Sequence, residues 1–161
     1  MAVISLAEAV AVTRGAQASG RRVVFTNGVF DLLHPGHVRY LQRARALGDM
    51  LIVGVNSDRS VRANKGAERP ITPESERAEL LAALAAVDHV VVFDEDTPQE
   101  IVTMLQPDVL VKGADWAADA IVGRDVVEAR GGKVVRMPVD EGHSTSAIVA
   151  KVKAMASTPR S

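Results

Sequence analysis

Residues 22–56 read RVVFTNGVFDLLHPGHVRYLQRARALGDMLIVGVN, and this stretch decides the fold. Residues 22–27 (RVVFTN) form a short β-branched and aromatic run that ends at Gly28, and residues 50–56 (MLIVGVN) form a second. Both have the composition of strands buried on two faces, as in a parallel sheet. Between them Val38, Leu41, Ala44 or Arg45, and Leu47 recur at helical spacing and stop at Gly48, so the unit is strand, helix, strand. Working outward, the pattern predicts a helix over 73–86, a strand over 89–93, a helix over 97–105, a strand over 108–112, a helix over 121–130, a strand over 133–138 and a helix over 144–154. The opening MAVISLAEAV reads as the start of an amphipathic helix.

Five strands alternating with helices predict the α/β class: a single Rossmann-like doubly wound domain with a five-stranded parallel sheet flanked by helices. The expected domain spans residues 1–155, with an N-terminal helix in 1–20, a core over 21–152 and a flexible tail over 156–161. In such a fold ligands sit beyond the carboxyl ends of the strands, near the point where strand order reverses. The one long connection, 58–72, holds Arg59, Arg62, Lys65 and Arg69 with Gly66 and Pro70. It reads either as a mobile anion-binding lid or as a solvated surface loop.

Composition narrows the chemistry. The 161 residues are 47% apolar and 24% charged, with Lys+Arg 19 against Asp+Glu 20 and a net charge of -1, so no overall field draws the chain to nucleic acid or anionic membrane. Aromatic content of 3% leaves little for base-stacking platforms. The absence of cysteine excludes disulfide frameworks, thiolate metal sites and thiol nucleophiles. The longest apolar stretch, 80–87 (LLAALAAV), is far shorter than the roughly 18 residues of a membrane span. With no basic n-region before Glu8, the sequence predicts a cytoplasmic protein.

The chemistry-bearing segment runs Thr26-Asn27-Gly28-Val29-Phe30-Asp31-Leu32-Leu33-His34-Pro35-Gly36-His37. Neither G-x-G-x-x-G nor G-x-x-x-x-G-K-[ST] is present, so the redox-dinucleotide and P-loop signatures both fail. His34 and His37, at i and i+3, share a face on the first helical turn beside unpaired backbone amides that favour anions. Gly36 removes a side chain where a phosphate could approach. Two other readings remain open at this point: a metal site completed by His89, His143 or carboxylates, and plain surface residues at a helix start.

This segment resembles the H-x-G-H nucleotidyltransferase superfamily, in its cytidylyltransferase-like branch. The resemblance extends over roughly residues 21–152, through Val55-Asn56-Ser57-Asp58, Lys65, Glu76-Arg77, Lys112-Gly113-Ala114-Asp115-Trp116 and Gly142-His143-Ser144-Thr145-Ser146. Within the branch, Asn64-Lys65-Gly66, Arg69-Pro70-Ile71, 95–99 (EDTPQ), 107–113 (PDVLVKG) and 131–135 (GGKVV) look most like the adenylyltransferase domains of the bacterial heptose pathway. Those domains make ADP-heptose from ATP and D-glycero-D-manno-heptose 1-phosphate. Many are fused to a sugar kinase, and 161 residues leave no room for one, so the expectation is a stand-alone version.

The resemblance implies attack of a sugar-phosphate oxygen on the α-phosphorus of ATP, with release of pyrophosphate. It places His34 and His37 as donors to the phosphates and Lys65 between nucleotide and acceptor. It assigns Thr26, Asn27, Gly28, Phe30, Gly36, Lys112, Asp115, Ser144, Thr145 and Ser146 to the nucleotide, and Asp31 and Arg77 to the acceptor. Ser144 also reads as a plain N-cap, Arg77 as a solvated arginine and Trp116 as a packing residue. Magnesium accompanies the triphosphate with its protein ligands unassigned, and a homodimer is the expected assembly. One departure matters: glycerol-phosphate cytidylyltransferases carry R-T-E-G-I-S-T-T near the end, and the arginine position is Val139 here. That argues against CTP with glycerol phosphate and leaves Arg136 or the basic connection to neutralise the triphosphate.

Overall fold

A computed structural model describes residues 2–159. In chain order the elements are β1 (Ala2–Val3), α1 (Leu6–Ala18), β2 (Val23–Gly28), α2 (Pro35–Arg45), β3 (Met50–Asn56), α3 (Asp58–Lys65), α4 (Glu74–Ala82), β4 (His89–Phe93), α5 (Gln99–Leu105), β5 (Val109–Gly113), a 3-10 turn (Ala118–Ala120), α6 (Arg124–Ala129), β6 (Lys133–Met137) and α7 (Thr145–Ala156). All strands pair in parallel, in the order β1-β4-β3-β2-β5-β6. The chain steps from β2 through β3 to β4 on one side and returns to place β5 and β6 on the other. The reversal therefore lies between β2 and β5, and the carboxyl ends of these two strands open the crevice where ligands bind in such sheets.

Alternation along the strands builds two cores. Phe25, Ile52, Val91 and Leu110 face α1, α5 and α6, where they meet Ala9, Ile101, Leu105 and Val127. Val24, Val53, Val90 and Val111 face α2 and α4, where they meet Leu41, Ala44, Ala78 and Leu81. Every residue of β3 is buried, as a central strand covered on both faces requires. No described helix is long and apolar enough to cross a membrane.

Four sequence expectations change. The sheet has six strands, because Ala2–Val3 adds a short edge strand against His89 and Val90. The first helix accordingly starts only at Leu6, where Ser5 and Glu8 form a reciprocal capping box. The segment 58–72 is not all loop, since α3 fills its first half. Only Ser60 and Val61 of α3 are buried, so apolar periodicity gave no signal. What starts it is the Ser57 hydroxyl, which accepts from the Ser60 amide at 3.1 Å. The last helix continues through Ala156 into the expected tail, of which Arg160 and Ser161 lie outside the described residues.

Candidate active site

The chain leaves β2 through a wound loop in which Phe30 and Leu32 adopt positive φ of 52° and 48°. Non-glycine residues rarely take this conformation, and such strain concentrates where function needs it. The loop delivers His34 in extended conformation at the N-cap of α2, followed by Pro35 in the first turn. The His34 amide donates to Nδ1 of His37 at 3.3 Å. A neutral His37 ring therefore carries its proton on Nε2, the remaining donor. Burial, with the nearby His34 charge as a smaller cause, pushes the His37 pKa down to about 4. At neutral pH it is an uncharged donor.

The His34 ring stacks on that of His37 with centroids 3.8 Å apart, and Phe30 meets His37 edge-on at 5.5 Å. His34 is also pushed below its ordinary range, by burial and then by His143. Its Nδ1 is buried without a hydrogen-bond partner among the described residues. His143 continues the row, its ring nearly parallel to His34 at 6.1 Å. The space over Gly36 makes room for this row: a Cβ there would lie 2.9 Å from the His34 ring and 3.1 Å from Cβ of His143. Gly28 likewise makes room for the Phe30 ring, 3.1 Å from where its Cβ would stand.

The other expected residues divide into those that face the crevice and those that build it. Thr26 is fully buried, its hydroxyl donating to the Val111 carbonyl at 2.9 Å and sharing a hydrogen bond with the Tyr40 hydroxyl. It ties β2 to β5 and α2. Asn27 is half-buried, and its Oδ1 has no partner among the described residues. Lys112, at the end of β5, is held down to about 8 by burial, against the opposing charge of Asp115. Its Nζ lies 5.6 Å from the ring of Trp116, which stays half exposed and does not pack into the core. Arg136, a candidate for the triphosphate, instead donates to the carbonyls of Trp116 and Ala114.

Asp31 and Arg77, expected to contact the acceptor, both hydrogen-bond within the protein. The Asp31 carboxylate is buried and accepts from the amides of Ile71 at 2.8 Å and Thr72 at 3.0 Å, with Arg69 at 3.8 Å. Arg77 is wholly buried, which also excludes a solvated arginine. It donates to the carbonyls of Thr72 at 2.8 Å and Val29 at 2.6 Å and to the Asp58 carboxylate at 2.8 Å. Both side chains clamp the histidine loop to the 66–73 connection and to the start of α3.

The start of α7 closes the site. Ser144 is its N-cap, the hydroxyl accepting from the Ala147 amide at 3.0 Å, and the Thr145 hydroxyl donates to the Asp31 carbonyl. Ser146 is exposed. Two depressions flank this helix. A groove of about 500 Å3 is bordered by Lys65, Arg69, Ser146 and Lys153, and a pocket of about 160 Å3 by His34, His143, Ser144 and Lys151. Lys65 is thus exposed on one flank of α7 while the histidines sit on the other. Among the described residues no three His, Asp or Glu side chains converge as a metal would need. The place of His143 in the ring row depends on α7 folding back over α2, which no local pattern shows.

Paired neutral histidines thus stand at a helix start beside the reversal point of a parallel sheet, where α/β domains of this class bind their ligands. The match to the cytidylyltransferase-like family covers residues 25–155, and the chain belongs to that family. It is similar to the bifunctional protein HldE of Citrifermentans bemidjiense, 58% identical over 83% of this chain and 27% of that protein. It is also similar to the bifunctional protein HldE of Geotalea uraniireducens, 54% identical over 89% of this chain and 29% of that protein. The chain spans less than a third of the length of these relatives. Among solved structures it resembles the lipopolysaccharide core biosynthesis protein from Thermoplasma volcanium GSS1, with a TM-score of 0.63 and 31% identity over 77% of this chain and all of that one.

Proposed function

We propose that the chain is an adenylyltransferase that transfers AMP from ATP to D-glycero-D-manno-heptose 1-phosphate, giving ADP-heptose and pyrophosphate for lipopolysaccharide or another surface glycan. The carrying observation is the stacked His34–His37 pair, uncharged at neutral pH, at the α2 start. Relatedness to the HldE proteins supports heptose as the acceptor.

The acceptor phosphate has a second pKa near ~6 and is already a dianion at neutral pH, so no general base is required. The task is to align two polyanions and to stabilise charge that grows on the α-phosphate and its leaving group. In this reading Nε2–H of His37 and the free edge of His34 donate to the phosphate oxygens. The backbone dipole at the α2 start favours the same charge. Lys65 bears on the acceptor phosphate from the groove side of α7, while Lys112 and Asp115 contact the nucleotide from the end of β5. ATP enters as its magnesium complex, with the ion held mostly by phosphate and water. Asp31, accepting from two backbone amides, holds the histidine loop against the 66–73 connection. A cytoplasmic homodimer completes the reading.

Pyrophosphate release tests it, with ATP or CTP each offered heptose 1-phosphate or glycerol 3-phosphate in the presence of magnesium. Turnover confined to ATP with the heptose phosphate is expected. CTP with glycerol phosphate would keep the mechanism and replace both substrates, and silence in all four combinations would leave a nucleotide-binding module without turnover.

A further inference from the structure

The connection from β6 to α7, residues 138–143, makes no well-formed backbone-to-backbone hydrogen bond among the described residues. Glu141 and Gly142 in its middle are exposed, and Gly142 takes a positive φ of 79°. Exposed chain of this kind opens easily unless side chains hold it. Two pins do so here. At the far end the Thr145 hydroxyl donates to the Asp31 carbonyl. Nearer β6, Asp140 reaches across to α2. Its Oδ2 accepts from Arg39 at 3.0 Å, and its Oδ1 accepts from both terminal nitrogens of Arg43, at 3.1 and 3.2 Å. Arg43 also donates to the Pro138 carbonyl at 2.9 Å. The two arginines stand at i and i+4, so they project from one face of α2 and close on a single carboxylate.

The same helix begins with the stacked His34–His37 pair. The connection passes over that start with His143, whose ring lies nearly parallel to His34 at 6.1 Å. Cβ of His143 comes 3.1 Å from the point over Gly36 where a Cβ would stand, and the buried, unpartnered Nδ1 of His34 lies 2.9 Å from that point. The seat of the connection on α2 therefore sets how closely His143 covers His34. Global stability does not account for the cluster. The Arg39 and Arg43 side chains are 55% and 40% exposed, and ion pairs this open add little to it.

We propose that Asp140 is a positioning residue: clasped by Arg39 and Arg43, it seats the 138–143 connection on α2 so that His143 covers His34 and fixes the edge His34 presents to phosphate oxygens. The role toward phosphate rests on the nucleotidyl transfer argued above, whereas the covering of His34 belongs to the free chain.

Histidine NMR titration of the full chain without substrates tests the clasp. In the parent, His34 titrates below its ordinary range, through burial and then His143. In Asp140→Ala and in Arg43→Ala the connection leaves α2, and the His34 value should rise toward that of an exposed histidine. His37, packed by Phe30 and His34, should keep its low value, and Asp140→Glu, which retains the charge, should titrate as the parent does. In pyrophosphate-release assays the two alanine variants should lose about tenfold in kcat with little change in KM for ATP, at a melting temperature close to the parent's. An unchanged His34 value in Asp140→Ala overturns the proposal. So does a His34 shift that comes with a large loss of melting temperature, which would make the clasp a plain structural tie. A chain that shows the His34 shift but turns over none of the offered substrates keeps the covering of His34 and loses the assigned reaction.

Discussion

His37 shows how a residue acquires its state from neighbours. An exposed histidine would be partly charged at neutral pH, but burial beside Phe30 and under His34 keeps this one uncharged, and the His34 amide selects which nitrogen donates. The His37→Ala variant should lose about 10²- to 10³-fold in kcat, as for loss of one preorganised donor, while circular dichroism shows the parent fold. Gly36→Ala should reach a similar loss from the other side, because its methyl group collides with the His34 ring. Lys112 makes a separate prediction. Burial lowers its pKa to about 8, so its charge is present below that pH and lost above it. In the free enzyme kcat/KM for ATP should therefore fall as pH rises through about 8. Lys112→Arg, which keeps its charge, should move that fall to higher pH in a steady-state profile. The two histidines at i and i+3 are legible in the sequence, because helical spacing alone puts them on one face. Their stacking with His143 is not, since 106 positions of chain separate His37 and His143.

Among the elements, α3 is the least legible, and together with α4 it carries the clamp. Their joint depends on Arg77, whose three hydrogen bonds reach the histidine loop, the connection before α4 and the start of α3. The Asp58 amide in turn donates to Glu74 at 2.6 Å. Removing one partner of a buried ion pair leaves unsatisfied groups behind, so Arg77→Met should cost about 3 kcal/mol in urea denaturation, the lower end of the usual range because Asp58 is partly exposed. A loss of activity with undiminished stability would instead return Arg77 to the acceptor. In sequence α4 shows an arginine among Glu and Ala residues, which is the pattern of a solvated face. Only the packing of α4 under the loop buries it. The strands were read more easily, because a parallel strand covered on both faces has to be apolar throughout.

At the scale of the molecule, acid is the informative stress. His34, His37 and His89 all have pKa values lowered in the folded state, each chiefly by burial. Between pH 6.5 and about 4 the unfolded chain thus binds more protons than the folded one, and stability rises with pH across that window. Melting temperature should fall as the buffer is taken from pH 7 to pH 5, and His37→Asn should flatten the slope in a calorimetric series. An unchanged slope would mean that carboxylates govern the acid limb. The alternation of buried strands with helices determined, from sequence alone, an α/β domain with its chemistry after β2, since periodicity and burial are local properties of the chain. The family signature likewise lay in contiguous residues. Tertiary structure alone decided which partners Thr26, Asp31 and Arg77 meet: the Val111 carbonyl, the Ile71 and Thr72 amides, and the Val29 carbonyl with Asp58. It also decided that Lys65 and the histidines flank opposite sides of α7, and that Asp140 meets Arg39 and Arg43. The physical reason is that a polar side chain takes its role from the partner it meets, and these partners come together only when separate elements pack.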